Sequence, residues 1–391
     1  MANADVQQFG DVKFREDSPN AQLDELLDRL VEDLQLTPTQ HQSAEEKYLA
    51  VARWLSAPGS PVEAMDPQIY PQGSLRTETT VRPLAHQEFD LDLICELEAS
   101  PDHGPGALYE LLWARMESNE RYRPMLERCA RCMRLNYAND FHLDIVPAIP
   151  DPAGASATSL LIPDQEQRSW RPSNPKGYAE WLEQMARLPI VEKRTMGATI
   201  EPLRAPQPVT TKPPLKLAIQ LFKRWRDVTY APRPEEPPSS IILATIAGHV
   251  YGKEEHVTDA LSAVLGRTLA WTRREDIHLQ NPANDKECIT DRWHKKPGAY
   301  DAFRLELEAF HLRWQRLVNE GTIFDVSKDL ERLFGEKPVK RAMKAYAESR
   351  AQARQTGQLH TSRTTGALLT SAGSQALRVA SHTFYGGTDD T

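Results

Sequence analysis

The sequence predicts an α+β chain of two lobes, a mixed-sheet core followed by a helical lobe. Three observations predict it. "FDLDLICEL" and "FHLDIVPAI" are short apolar runs with period-two alternation. Apolar residues at helical spacing dominate the chain before and after that region. Between the strand region and the second helical region lies "EPLRAPQPVTTKPP", whose prolines exclude a helix or a central strand and mark a boundary.

Taken in order, residues 1–60 read as N-terminal scaffold helices. In "NAQLDELLDRLVEDLQL", Leu23, Leu26, Leu27, Leu30, Val31 and Leu34 make one buried face. A second helix is expected to begin at "SAEEKYLAVARWL", with Ser43 as cap and Glu46 completing a capping box. Residues 61–205 form the core that carries the two strands. Between them, residues 106–135 show a helical pattern, and "YRPMLERCARCMRLNY" reads as a helix packing its apolar side. Residues 206–355 form the helical lobe, opened by "PLKLAIQLFKRWRDV" and "PPSSIILATIAGHVYG". The tail, 356–391, is rich in Ser, Thr and Gly and poor in charge.

Composition narrows the function. The 391 residues are 40% hydrophobic and 26% charged, the balance of a globular chain long enough for two domains. A net charge of −8 argues against a standing grip on long nucleic acid. No stretch looks like a signal peptide or a membrane span, so a cytosolic protein is expected. Cys129 and Cys132 form a CxxC, but no second Cys/His pair at ligand spacing accompanies it. Cys95, Cys129, Cys132 and Cys288 are therefore expected to be reduced, and the CxxC pair buried.

The chemistry is suggested by "YPQGSLRTETTVRPLAHQEFDLDLICEL". Strand alternation puts Asp90 and Asp92 on one face, where two like charges repel unless a cation joins them. Asp144 adds a third strand carboxylate between apolar neighbours. Three carboxylates on adjacent strands suit two magnesium ions about 4 Å apart, with manganese as an alternative, the arrangement that drives nucleotidyl transfer. Gly73 lets the backbone approach a phosphate, and Ser74 offers a hydroxyl and an N–H at a helix start. In "LKLAIQLFKRWRD", Lys216, Gln220 and Lys223 share one helix face, while Leu215, Ile219, Phe222 and Trp225 form the core face. Lys216 is expected to be solvated.

With these residues in hand, the chain resembles the cGAS/DncV-like nucleotidyltransferases of bacterial anti-phage signalling (CBASS). The likeness rests on "PQGSLRTETTVRP", "EFDLDLICEL", "HLDIVPAIPD", "LKLAIQLFKRWRD…PPSSIILATIAGHVY" and "HTFYGG". It implies a polymerase-beta-like nucleotidyltransferase fold and the synthesis of a cyclic di- or trinucleotide from ATP, GTP, UTP or CTP. It further implies that Asp90, Asp92 and Asp144 are the catalytic, metal-binding triad, with Asp144 as general base. Gln72 and Ser74 would hold the triphosphate. By similarity to oligoadenylate synthase, Lys223 would contact the donor triphosphate and Ser239, with Ser240 beside it, would lie near the base. The zinc insertion through which animal cyclic GMP-AMP synthase binds DNA is missing, which points away from DNA activation. Relatives of this kind act in the bacterial cytoplasm. Some carry a C-terminal glycine that a ligase-like partner joins to another molecule; here "TDDT" follows Gly387, so conjugation would require trimming. Two other readings use the same residues: transfer onto an RNA, protein or small-molecule acceptor, and a catalytically idle binding scaffold.

Overall fold

The protein is described from a computed structural model covering residues 20–84, 88–137, 141–166, 168–186, 200–233, 237–320, 323–358, 360–362, 368–369 and 376–378. The tail motif "HTFYGG" lies outside the described residues.

The first helix, α1 (Ala21–Leu34), buries Leu26, Leu27, Leu30, Val31 and Leu34, the face its spacing predicts. The second, α2 (Pro38–Leu55), starts earlier than Ser43. Thr37 accepts from the Gln40 N–H (3.2 Å), and the Gln40 side chain accepts from the Thr37 N–H (3.0 Å). With Pro38 at the first helical position, this box outcompetes the one at Ser43. Ser43 instead accepts from Lys47 within the helix.

Seven strands form one mixed sheet: β1 (Gln68–Pro71), β2 (Phe89–Glu96), β3 (Leu126–Arg128), β4 (Met133–Tyr137), β5 (Phe141–Pro150), β6 (Leu160–Asp164) and β7 (Ser169–Ser173). The main order is β1-β2-β5-β4-β3, with β6 continuing from β5 and β7 from β6. Only β2 and β5 run parallel, in a register that sets Asp92 directly opposite Asp144. A helix, α3 (Gly73–Arg76), follows β1, and α4 (Pro105–Glu117) follows β2.

The helical pattern expected over 106–135 holds for α4 alone. "YRPMLERCARCMRLNY" is a 3-10 turn, Arg123–Met125, and the β3–β4 hairpin. Met133, Leu135 and Tyr137 are buried while Arg134 and Asn136 are half-buried, a period of two that the residues themselves display. Cys129 and Cys132 close the hairpin turn, the N–H of the first donating to the carbonyl of the second (3.1 Å). All four cysteines are free, but only Cys95 is buried; the CxxC pair is half-buried and Cys288 is exposed.

The rest of the chain is mostly helical: α5 (Pro175–Met185), α6 (Pro214–Thr229), α7 (Ser240–Val250), α8 (Val257–Arg274), α9 (Asp291–His294), α10 (Ala299–Glu320), α11 (Ile323–Phe334) and α12 (Glu336–Gln355). A hairpin of β8 (Gln280–Asn281) and β9 (Asn284–Cys288) interrupts them, and β10 (His360–Ser362), β11 (Leu368–Leu369) and β12 (Ala376–Arg378) form a small separate sheet. The helix α6 is central: every residue from Leu215 to Trp225 is buried. One apolar cluster gathers around it, including α1, α7, α8 and α10. A second lies between the sheet and α2 and α4. The two N-terminal helices thus serve different cores. Among the described residues, no helix is long and apolar enough to cross a membrane.

Candidate active site

The sheet face turned away from the α2–α4 core carries Asp90, Asp92 and Asp144, followed by Ile94 and Val146, which belong to a small separate apolar cluster. Asp90 is exposed, Asp92 half-buried and Asp144 buried. Burial, then the neighbouring charges of Asp144 and Asp90, push the Asp92 carboxyl up to about 7.

Asp144 is held from the next strand. Arg134 faces it in register, and its guanidinium forks onto both oxygens, Nε to Oδ1 at 2.7 Å and Nη2 to Oδ2 at 2.8 Å. The same guanidinium stands 3.6 Å from Asp90. Cys132, two residues before Arg134, is hydrogen-bonded to Asp144, and burial raises its thiol out of the reactive range.

The turn after β1 touches the triad. Gln72 donates its N–H to the Asp92 carbonyl (2.9 Å). Gly73 sits at φ +65°, and a Cβ there would lie 2.5 Å from Asp92 Oδ2, so only glycine lets the turn press on the carboxylate. Ser74 accepts from Thr80 Oγ1 (3.1 Å) through its hydroxyl and from the Thr79 N–H (2.9 Å) through its carbonyl.

The face of α6 expected to meet solvent meets protein. Lys216 is fully buried and donates to Glu78 (2.6 Å) and Glu183 (2.7 Å). Gln220 donates to the Thr80 carbonyl (2.7 Å). Lys223 donates to Thr79 through both its carbonyl (3.1 Å) and its hydroxyl (2.9 Å). The polar stripe was real, but α6 is the middle of a lobe, so its partners are carboxylates and peptide groups rather than water. Burial, and then the nearby Arg226 charge, lower the Lys223 ammonium to about 7. At the start of α7, Ser240 accepts from Arg226 (2.9 Å), which also bonds the Pro238 carbonyl (3.2 Å).

One cavity of about 560 Å³ unites these groups. Gln72, Gly73, Ser74, Asp90, Asp92, Asp144, Lys223, Ser239 and Ser240 all line it. Its size is that of a small-molecule site. The three aspartates of the sheet stand on one wall, and Lys223, Arg226, Asp227, Ser239 and Ser240 on the wall from α6 and the start of α7.

The comparisons agree with this chemistry. A model of the Second Messenger Oligonucleotide or Dinucleotide Synthetase domain matches residues 22–185. A c-di-GMP synthase of Roseivirga ehrenbergii is 31% identical over 375 residues, 93% of this chain and 97% of that one. The chain belongs to the cGAS/DncV-like nucleotidyltransferases. The cyclic dinucleotide synthase CdnG of Bradyrhizobium diazoefficiens is 30% identical to this nucleotidyltransferase over 378 residues, 88% of each chain. The structure of that CdnG in complex with GTP superposes with a TM-score of 0.66 at 27% identity, covering 83% of this chain and 99% of that chain. An Escherichia coli CdnC solved in a HORMA-deltaN complex has a TM-score of 0.59 at 14% identity, covering 79% of this chain and 96% of that one; it shares the fold. The two-lobed α+β fold and the synthesis of cyclic oligonucleotides from nucleoside triphosphates, both expected from the sequence, are borne out.

Among the residues of this nucleotidyltransferase that escaped the sequence reading are Arg134, which holds Asp144, and Arg226 and Glu287, which line the cavity. Arg134 was hidden by reading its strand as helix; alternation in "MRLNY" would have put it on the aspartate side. Arg226 lies one turn beyond Lys223 on the same face of α6, a spacing that was available. Glu287 sits on β9, a hairpin strand with no signal strong enough to predict it.

Proposed function

We propose that this nucleotidyltransferase joins two GTP molecules into cyclic di-GMP in the bacterial cytoplasm. The relatives named a c-di-GMP synthase and a cyclic dinucleotide synthase support the reading, as does the CdnG structure with GTP. The observation that carries it is the convergence of Asp90, Asp92 and Asp144 with the Gly73–Ser74 turn in one cavity. Transfer to a separate acceptor would use the same residues, but the comparisons do not favour it.

The donor set suits divalent cations in kind. Three hard carboxylates share one face, and the Asp92 carboxyl, pushed up to about 7 by burial and by the two others, gains from a positive charge placed beside it. Among the described residues no three such side chains already form a metal cage, and Arg134 supplies the local positive charge at Asp144. Asp90, Asp92 and Asp144 would hold two magnesium ions, or manganese in their place. Bound there, the cations would acidify an attacking hydroxyl and neutralise the departing pyrophosphate.

The chain's own groups do the rest. Ser74, Gln72 and Lys223 hold the triphosphate with its α-phosphorus towards the carboxylates, and Ser239 stands near the base. Asp144 takes the proton of the ribose hydroxyl of the second nucleotide as that oxygen bonds to the α-phosphorus and the bond to the β-phosphate oxygen breaks. A second round on the linear product closes the ring. Purified protein incubated with labelled GTP and magnesium is expected to yield a small phosphatase-resistant product, abolished in Asp92→Asn. Label in macromolecule, or an undiminished product from that variant, would overturn the reading.

A further inference from the structure

Beyond the triad, Glu88, Asp227 and Glu287 also line the cavity; Glu88 faces His142 (3.1 Å) and Asp227 faces Arg226 (2.6 Å), whereas Glu287 has no role in the chemistry above. Glu287 projects from β9 into the cavity beside Ser173 and Asn281. Asn281 Nδ2 donates to its Oε2 (2.7 Å), Ser173 Oγ approaches its Oε1 (3.4 Å), and the Asn174 N–H adds a third bond. These partners are all neutral. Arg131 acts on it only from a distance, being engaged with Asp164 at 3.0 Å. Burial raises the Glu287 carboxyl above its usual range. A half-buried carboxylate held by neutral donors carries a desolvation cost, and such groups collect at functional sites.

Its surroundings define what it can meet. Pro175, Tyr178, Ile241 and Ala244 line the same cavity and offer apolar faces, and Ile241 is 38% exposed, unusual for so large an apolar side chain. Apolar faces next to one fixed polar group suit a flat heterocycle. Glu287 repels phosphates, which are drawn instead to Lys223 and the Gly73–Ser74 turn, so a nucleotide enters base towards Glu287. Guanine presents two adjacent donors, N1–H and the 2-amino group, which match the two oxygens of a carboxylate. Adenine presents an acceptor, N1, beside its amino group, and that lone pair would face a carboxylate oxygen without a proton between them.

We propose that Glu287 is the specificity-determining residue of the base pocket, accepting both donors of a guanine edge while Asn281 holds the carboxylate in place. The proposal rests on the cyclic di-GMP reading and explains guanine selection at one of its two nucleotide positions.

The test measures binding rather than turnover. The α,β-methylene analogues of GTP, ITP and ATP are titrated calorimetrically against the full chain with magnesium. The wild type is expected to prefer the GTP analogue over the ATP analogue by at least about tenfold, with ITP, which lacks the 2-amino group, in between. Glu287→Gln, which pairs one acceptor with one donor, should erase or invert the preference for guanine over adenine. Glu287→Ala should weaken the GTP analogue towards the ATP level. Equal wild-type affinity for all three analogues would overturn the assignment without any variant. So would a folded Glu287→Gln protein that keeps its guanine preference. Wild type that binds none of the three would instead overturn the nucleotide reading of the whole cavity.

Discussion

Asp92 is the residue whose ionisation works against the fold. Its carboxyl is pushed up to about 7, whereas an unfolded aspartate titrates near 3.8. Between those values the native chain binds more protons than the unfolded one, so in metal-free protein stability falls as pH rises from about 4 to 7. Asp92→Asn cannot ionise and escapes that loss. In EDTA its unfolding free energy is therefore expected to match wild type near pH 4 and exceed it increasingly up to pH 7, by at most a few kcal/mol, with the melting temperature rising in step. Thermal melts across that range check it; a constant offset would show that Asp92 carries no such strain. The triad was legible because carboxylates on a strand between apolar neighbours break the usual pattern. Arg134 was not, because its strand was read as a helix and the alternation that sets it beside Asp144 was lost; Glu287 was not, because its contact with Ser173 is made between segments distant in sequence.

At the level of elements, α6 shows how much a helical period can say. It separated a polar stripe from an apolar one correctly. It could not say that both would be buried, because periodicity records which side chains share a face and not what lies opposite. The stripe ties α6 to residues 78–80, and its lysines now differ in task. Lys216 sits between two carboxylates, so Lys216→Ala leaves Glu78 and Glu183 without their shared cation and should cost about 3 kcal/mol of unfolding free energy. Lys223 has only neutral partners among its hydrogen bonds and can be recruited by a phosphate. Lys223→Ala is expected to weaken nucleotide binding by roughly 1.5–3 kcal/mol with a smaller loss of stability. Denaturant unfolding and nucleotide titration of both variants separate the two roles. If Lys216→Ala unfolds like wild type, the burial of that ion pair has been misread.

For the whole molecule, the two lobes were legible because a proline-rich connector divides two periodicities. The allegiance of the N-terminal helices was not, because an amphipathic face announces burial without naming its partner. In the folded chain α1 lies in the helical-lobe core, pinned by Arg341 on Asp33 (2.6 and 2.7 Å) and Arg350 on Glu25 (2.6 Å) from α12. Buried Asp24 also accepts the Thr258 N–H at the start of α8 (2.9 Å). Leu27, fully buried in that core, gives the test. Leu27→Ala should destabilise by about 2–5 kcal/mol and raise amide exchange in α8 and α12 before α2 and the sheet. Exchange rising first in the sheet would place α1 with the wrong lobe.

The contact between Gly73 and Asp92 has a consequence for how this molecule can change. The turn proposed to hold phosphates meets the Asp92 carboxylate closely: a Cβ on Gly73 would stand 2.5 Å from Oδ2, at a φ of +65° that disfavours any other residue. Neither side can be retuned alone, since a bulkier turn displaces the acid and a displaced acid unseats the turn. Variation in what the molecule makes is therefore channelled to the far wall, where α7 and the β8–β9 hairpin can exchange side chains without moving the reacting centre.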